Sequence, residues 1–355
     1  MIHQKTIFHN VVNRVNVAVV GLGFMGVTHL KAWQKIKHAR IAAVCGNSRL
    51  PTNGRLAGIS GNLAGSDGVI LDRAVKVYSN FEKLLTDSEI DLIDLCTPTP
   101  LHHVQGIAAL NAGRHVICEK PIARTSTQAE KIVATARAAK SKGKFFMPAM
   151  VMRFWPEWVW LKQAIEQNTY GKVLAARFRR VSEMPSWSKH SHGAQSGGAL
   201  LDLHIHDADF VQFLFGCSKN VFAIGRSRFS GAIDHVVAQY QVANDAVVYA
   251  EGSWLMTKGH GFNMAYTINF EKATADYNLA NGTKALRLCE EGHTPSFVKC
   301  KRLDAYVSEL TYMADCILRS EPPAIVTAED GLNAVKICEA EEKSIKTRRI
   351  VKIKI

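Results

Sequence analysis

Over its first 150 residues the chain alternates short apolar runs with amphipathic stretches. VNVAVV (15–20), ARIAAVC (39–45), DLIDLC (91–96), RHVIC (114–118) and KFFMPA (144–149) have strand character. The runs at 15–20 and 91–96 are apolar almost throughout, as strands covered on both faces must be. Between the runs, FMGVTHLKAWQKI, PLHHVQGIAALNA and STQAEKIVATARAAKSKG carry helical spacing, the last opening with Ser126 or Thr125 as N-cap and closing at Gly143. Strand and helix in alternation predict a parallel, doubly wound sheet. Residues 46–76 interrupt the rhythm. GNSRLPTNGRLAGISGNLAGSDG is rich in Gly, Asn and Ser and predicts a long surface loop with at most a short helix.

After residue 150 the pattern changes, which divides the chain into domains 1–150 and 151–355. Helical spacing at 156–167 and 199–215 brackets a strand at 172–182 and a polar loop, EMPSWSKHSHGAQSGG. NVFAIGRSRF, DHVVAQYQV, DAVVYAEGSWLM and FNMAYTINF follow as strands between Gly, Asn or Asp turns, then helices at about 303–319 and 328–346 and a closing strand in IVKIKI. Consecutive strands without intervening helices predict a mainly antiparallel sheet with the 199–215 helix on one face, so the class is α/β followed by α+β.

The 355 residues exceed the usual size of a single core, and 47% hydrophobic with 21% charged residues describes an ordinary globular protein. No apolar run approaches the roughly 18–20 residues that cross a bilayer. The start, MIHQKTIFHNVVNR, lacks a basic region followed by an apolar core, so a cytoplasmic location without a membrane partner is expected. Eight scattered cysteines with no CxxC pair read as reduced thiols. The net charge of +13 is diffuse apart from six basic residues in the last thirteen positions, and no aromatic-interleaved basic patch is present, which argues against nucleic acid.

GLGFMG (21–26) follows a strand and opens a helix, the context in which a glycine pattern implies a dinucleotide. Gly21 allows the tight turn, Gly23 lets the backbone approach the pyrophosphate, and Gly26 lets the helix pack on the strand. Phe24 and Met25 open the helix whose amides would face the phosphates. The second strand runs into Asn47, Ser48 and Arg49 with no carboxylate to repel a 2′-phosphate. NADP is therefore the expected cofactor, with NAD the alternative if Arg49 is a solvated loop charge and Asn47 or backbone holds the ribose.

CTPTPLHH (96–103), CEKP (118–121) and GGALLDLHIHDAD (197–209) complete a set of four separated motifs. Their order and spacing resemble the Gfo/Idh/MocA family of nicotinamide-dependent sugar and polyol oxidoreductases, which includes glucose-fructose oxidoreductase and inositol dehydrogenase. The resemblance implies a Rossmann domain with Thr97, Pro98 and His102 near the nicotinamide half, Glu119 near the cofactor, and Lys120 as the active-site cation. It matches Gly197, Gly198, Asp202 and His206 to the family's second-domain pattern. Four-residue spacing puts Asp202 and His206 on one helix face. Alcohol oxidation needs a base for the hydroxyl proton, a part suited to His206, while Lys120 orients the oxygen and Asp202 orients substrate or stabilises charge.

The chain departs from the commoner pattern at His204. On a helix, positions 204 and 206 point about 200° apart and cannot share one ion, so no metal is expected and His204 becomes a supporting or interface group. Asp209 reads as structural. Arg153, Trp155, Trp187, His190 and His192 are the candidates for substrate recognition, since aromatic faces and polar donors suit a sugar. The expected function is hydride transfer between nicotinamide and a hydroxyl or carbonyl carbon of a sugar, polyol or related small molecule, in a homo-oligomer of two or four subunits. The alternatives are a nicotinamide-dependent glycoside hydrolase and a non-catalytic dinucleotide sensor of the same fold.

Overall fold

A computed structural model describes residues 14–47, 49–59, 61, 67–185 and 193–355. In the first part, β1 (Val15–Val20), α1 (Phe24–Trp33), β2 (Ala39–Cys45), β3 (Arg55–Leu56), β4 (Val69–Ile70), β5 (Lys76–Tyr78) and α2 (Phe81–Leu85) come first. They are followed by β6 (Leu92–Leu95), α3 (Thr99–Asn111), β7 (His115–Glu119), α4 (Ser126–Lys140) and β8 (Phe146–Ala149). The six-stranded sheet has the order β5-β2-β1-β6-β7-β8, with every pair parallel. After β1 the chain moves to one side of the sheet, and after β6 to the other. Their adjacent carboxyl ends therefore form the switch point where open α/β sheets bind ligands.

Sequence explains most of this local order. In β1 every residue except half-exposed Asn16 is buried. Of the two candidate caps on α4, Thr125 serves: its hydroxyl accepts from the Gln128 amide. Gly143 lies beyond the end of α4 at φ 71°. The 46–76 stretch differs from the expected loop. It holds a small antiparallel hairpin, β3 with β4, and then β5, which adds to the edge of the main sheet beside β2. Strands this short carry almost no periodic signal, which is why the composition alone reads as loop.

The second part contains α5 (Pro156–Glu166), β9 (Val173–Glu183), a short α6 (Gly193–Ser196), a π-helical turn (Leu200–His204) and α7 (Ile205–Phe215). Next come β10 (Asn220–Arg226), β11 (His235–Gln241), β12 (Val247–Met256), β13 (Asn263–Phe270), β14 (Ala273–Asn278), β15 (Leu286–Glu290) and β16 (Ser296–Phe297), then α8 (Ala305–Arg319), α9 (Ala328–Thr347) and β17 (Val351–Lys352). The nine-stranded sheet has the order β16-β15-β14-β13-β9-β12-β11-β10-β17 and is antiparallel except between β9 and β12. Its covered face packs around Trp158 of α5, which meets Phe210 of α7 and Tyr266 of β13 edge-on at 4.7 and 5.3 Å between ring centres.

Helices late in the chain return to the first sheet. The Glu339 carboxylate of α9 accepts from the Ser126 amide at the start of α4, Lys336 pairs with Glu130, and α8 lies on α1. Among the described residues, no helix is long and apolar enough to cross a membrane.

Candidate functional site

The turn after β1 is built against the turn after β6. Gly21 has φ +93°, and a Cβ there would sit 2.5 Å from the Cys96 carbonyl oxygen. A Cβ on Gly26 would overlap the Gly21 carbonyl oxygen, so both positions require glycine for packing. Gly23 is different: a Cβ there meets nothing within 4 Å. It faces open space at the start of α1, where among the described residues no side chain caps the helix. A helix start without a side-chain cap beside an open glycine fits the pyrophosphate of a dinucleotide.

At the ribose end, β2 runs into Asn47 with no acid, and Ser48 lies outside the described residues. Arg49 turns back over the glycine-rich turn, donating from Nη1 to the Leu22 carbonyl at 2.8 Å and from Nη2 to the Ala57 carbonyl. It ties the turn to the loop that follows β2.

After β6, Pro98 is the N-cap of α3 and the Thr97 hydroxyl donates to Gln105. His102 is buried, with Nδ1 2.7 Å from the Pro121 carbonyl and Nε2 2.6 Å from the Thr97 carbonyl. Burial pushes its pKa down. Both ring nitrogens face inward, so His102 braces the β6 turn against the Lys120–Pro121 turn after β7.

The same β7 turn delivers Lys120. Its Nζ donates across to the second sheet's helix layer, to the Asp202 carbonyl oxygen at 2.6 Å and the Asp202 carboxylate at 3.2 Å. Asp202 lies in the π turn, and His206 follows in the first turn of α7. Burial first, then the Lys120 and Arg180 cations, holds the His206 pKa well below its ordinary value, with Asp202 opposing. The imidazole is therefore neutral at physiological pH, the form a proton acceptor needs. Arg180 is itself buried and paired with Asp207, Nε to Oδ2 at 2.8 Å. A backbone that turns with positive φ at Gly197 and Gly198 runs close to the segment just before β11, where a Cβ on Gly198 would stand 2.5 Å from the Ile233 carbonyl oxygen.

Other expected contacts fall elsewhere. Arg153 is buried and commits Nε and Nη2 to the Asp209 carboxylate and Nη1 to the Ile325 carbonyl at 2.7 Å, leaving it a brace between segments rather than a donor toward substrate. Asp209 is thereby structural, as the sequence suggests. Trp155 is half-buried and lines a cavity of about 370 Å³ with Arg302, Asp304 and Tyr306; Lys120, Asp202 and His206 are absent from that lining. Trp187, His190 and His192 lie outside the described residues. His204 points away from His206 into the core, 3.1 Å from the Tyr240 hydroxyl and 3.3 Å from Glu341, in room left by Gly252.

Sequence reasoning missed Arg180 and a cluster under the glycine-rich turn: His29, Asp94 and Glu309, all buried. Asp94 carried a signal, since it is an acid in the middle of a strand that is otherwise apolar. His29 and Trp33, four apart on α1, both reach it. The donor atoms of His29, Asp94 and Cys96 lie within 4.8 Å of one another, an approach for which their mutual hydrogen bonds account.

Comparison with known proteins fits this geometry. Residues 15–148 match a family model described as an oxidoreductase family with an NAD-binding Rossmann fold, and residues 158–276 match the GFO/IDH/MocA C-terminal domain. The chain belongs to the Gfo/Idh/MocA oxidoreductase family. Within it, the chain is 25% identical to myo-inositol 2-dehydrogenase of Thermotoga maritima over 96% of its own length and 98% of that protein's. It is 32% identical to trans-1,2-dihydrobenzene-1,2-diol dehydrogenase of Bos taurus over 168 residues, 47% of this chain. That match spans about half of the bovine protein's length, 49%. Among solved structures, an oxidoreductase domain protein from Kribbella flavida superposes with a TM-score of 0.81 at 21% identity, covering 97% of this chain and all of that one. Levoglucosan dehydrogenase in complex with NADH superposes at 0.80 and 19% identity, covering 96% and 99%. At those identities the likeness establishes the Gfo/Idh/MocA fold and nothing finer.

Proposed function

We propose that the chain is a nicotinamide-dependent dehydrogenase or reductase acting on a secondary alcohol, or the matching carbonyl, of a sugar, polyol or related small molecule. The observation that carries this reading is the junction of Lys120 with Asp202 beside a neutral His206. The name of the Thermotoga relative, an inositol dehydrogenase, supports a polyol substrate. The bound nicotinamide supplies the hydride acceptor in oxidation and the donor in reduction.

The chain's own residues supply the rest. Gly21, Gly23 and Gly26 with the amides of Phe24 and Met25 would hold the pyrophosphate, and Thr97 and Pro98 lie on the adjoining turn. Lys120 meets the reacting oxygen as a cation, which favours negative charge developing there. His206 accepts the hydroxyl proton on its imidazole as the carbon loses hydride, and returns it in reduction. Asp202 orients Lys120 by two contacts and holds a compensating charge beside the ring.

For the cofactor we favour NADP(H) over NAD(H). No carboxylate stands at the end of β2, and Arg49 carries a cation at the lip of the glycine-rich turn. Phosphate binding there would exchange the Ala57 carbonyl contact for a charge-assisted one.

A spectrophotometric screen of sugars and polyols with NAD and NADP, in wild type and Lys120→Ala, tests the assignment. Net reduced cofactor from a polyol in wild type, lost in the variant, supports it. Aglycone release from a glycoside without net reduced cofactor points instead to the hydrolase chemistry, and turnover unchanged by Lys120→Ala overturns the site.

A further inference from the structure

Beneath the glycine-rich turn lies a buried chain of ionisable groups that the proposed reaction leaves without a task. His29 of α1 is wholly buried. Its Nδ1 is 3.0 and 2.9 Å from the two Asp94 oxygens, and Cys96 Sγ lies 3.4 Å from that same nitrogen. Trp33 Nε1 donates to Asp94 Oδ2 at 2.7 Å, which fixes the carboxylate from the other side. The second ring nitrogen, Nε2, lies 3.2 Å from Glu119 Oε1, an ion-pair contact without hydrogen-bond alignment. The other Glu119 oxygen accepts from the Lys120 amide at 3.1 Å. An unbroken path thus runs from α1 through the ends of β6 and β7 to the residue that reaches Asp202.

The charges along this path favour a cation at position 29. Burial disfavours the imidazolium, but Asp94 and then Cys96 outweigh it and carry the His29 pKa well above its usual value. From α8, Tyr306 faces the ring at 6.1 Å between centres, and Glu309 faces the cluster with both oxygens unpartnered. Burial pushes the Glu309 carboxyl well up; the His29 cation opposes this, and Glu119 and Asp94 add to it. Glu309 is therefore neutral, and among the described residues His29 is the cation that contacts both Asp94 and Glu119. Without it two buried carboxylates lose their counter-charge, and an uncompensated buried charge must move, hydrate or take up a proton.

We propose that His29 is a positioning residue for the active-site cation: by bridging Asp94 and Glu119 it fixes the turn from which Lys120 reaches Asp202. The role deepens the reading of Lys120 as the active-site cation and rests on it. The test follows the lysine itself rather than turnover, so that either idea can fail alone.

The full chain is treated with a trace of acetic anhydride, and acetylation of Lys120 is measured by mass spectrometry relative to exposed Lys258 in the same sample. In His29→Gln the Lys120 rate should rise about tenfold, the factor that corresponds to losing a charge-assisted contact. Loss of thermal stability with an unchanged Lys120-to-Lys258 ratio would assign His29 a purely structural part and overturn the proposal. Should that variant fail to fold, Asp94→Asn keeps the ring and Glu119 in place and is expected to raise the ratio by a smaller step; no change in the ratio counts against the proposal. Nitrogen NMR of the wild-type ring gives a second readout. An imidazolium signal for His29 near neutral pH is expected, and a neutral ring would overturn the bridging role.

Discussion

Each side of the site holds a histidine, His29 buried and His206 half-buried, and the two are set to different protonation states. On the Rossmann side His29 stands between Asp94 and Glu119 and is held protonated. On the second-domain side His206 stands near Lys120 and Arg180 and is held neutral. Burial pushes both rings toward neutrality, so the difference lies in the sign of the charges each one faces. A protonated ring between carboxylates can brace a turn but has no capacity to accept a proton. A neutral ring has the free lone pair that accepts a proton, at the cost of basicity among cations, and contributes little as a brace. The construction of the two sides differs in the same way: the Rossmann side is mostly backbone, with glycines at 21, 23 and 26, while the side proposed to meet substrate is made of side chains carried by a π turn and α7.

The sharpest test of this contrast is to remove each ring. His206→Ala and Lys120→Ala should each lower turnover by about 100- to 10,000-fold, the usual contribution of a positioned acid–base group. Dinucleotide affinity, measured by quenching of protein fluorescence, should change little in both. A loss of cofactor affinity as large as the loss of turnover would erase the distinction between the two sides.

Arg180→Met comes next. It leaves Asp207 buried without its partner and should cost about 3–5 kcal/mol in urea unfolding. In the folded variant the His206 pKa, followed by NMR, should move up, because one of the two cations acting on it is gone. An unmoved pKa would mean that burial and Lys120 keep the ring neutral without help from Arg180.

On the Rossmann side, Arg49→Ala should remove much of the proposed preference for NADP(H). A charge-assisted contact of about 1.5–3 kcal/mol corresponds to tenfold or more in affinity. Calorimetric titration with both cofactors reads it, and an unchanged ratio would leave Arg49 as a tie between Leu22 and Ala57 only.

The smallest effect carries the opposite signs most directly. His29 keeps its proton in the folded chain to a higher pH than in the unfolded one. Its stabilisation is complete below about pH 6.5 and is lost as pH rises through the folded-state pKa. His206 loses its proton more readily when folded, so stability falls as pH drops below about 6.5, where the unfolded chain takes up the proton first. His29→Gln should therefore flatten the alkaline side of the stability profile and His206→Gln the acid side, each by at most about 1.4 kcal/mol per pH unit. Flattening on the same side in both variants would contradict the contrast.

The chain's own pattern already specifies the alternating strands and helices of the first sheet, the glycine-rich turn after β1, and the mainly antiparallel second sheet. In each, the burial demanded by the fold is written locally as apolar runs of one period or as glycines at fixed offsets. Lys120, Asp202 and His206 were legible only through their motifs, because residues 82 positions apart have no local signature of contact. Arg153 shows the limit of such reasoning. An arginine beside a tryptophan just past the first sheet suits a sugar, yet its partner is Asp209, 56 positions on, and both are buried.

The sequence by itself determined where the chain turns outside 46–76, which strands are buried on both faces and which residue types are on hand for the proposed proton transfer. These properties depend on side-chain size, polarity and spacing within a few residues. Tertiary structure alone decided which histidine is charged, which arginines are consumed in buried ion pairs, and which glycine faces open space rather than a carbonyl. Charge state and accessibility depend on every group within a few ångströms. At His29, those groups come from α1, β6, β7 and α8, segments that are distant along the chain and adjacent only once it has folded.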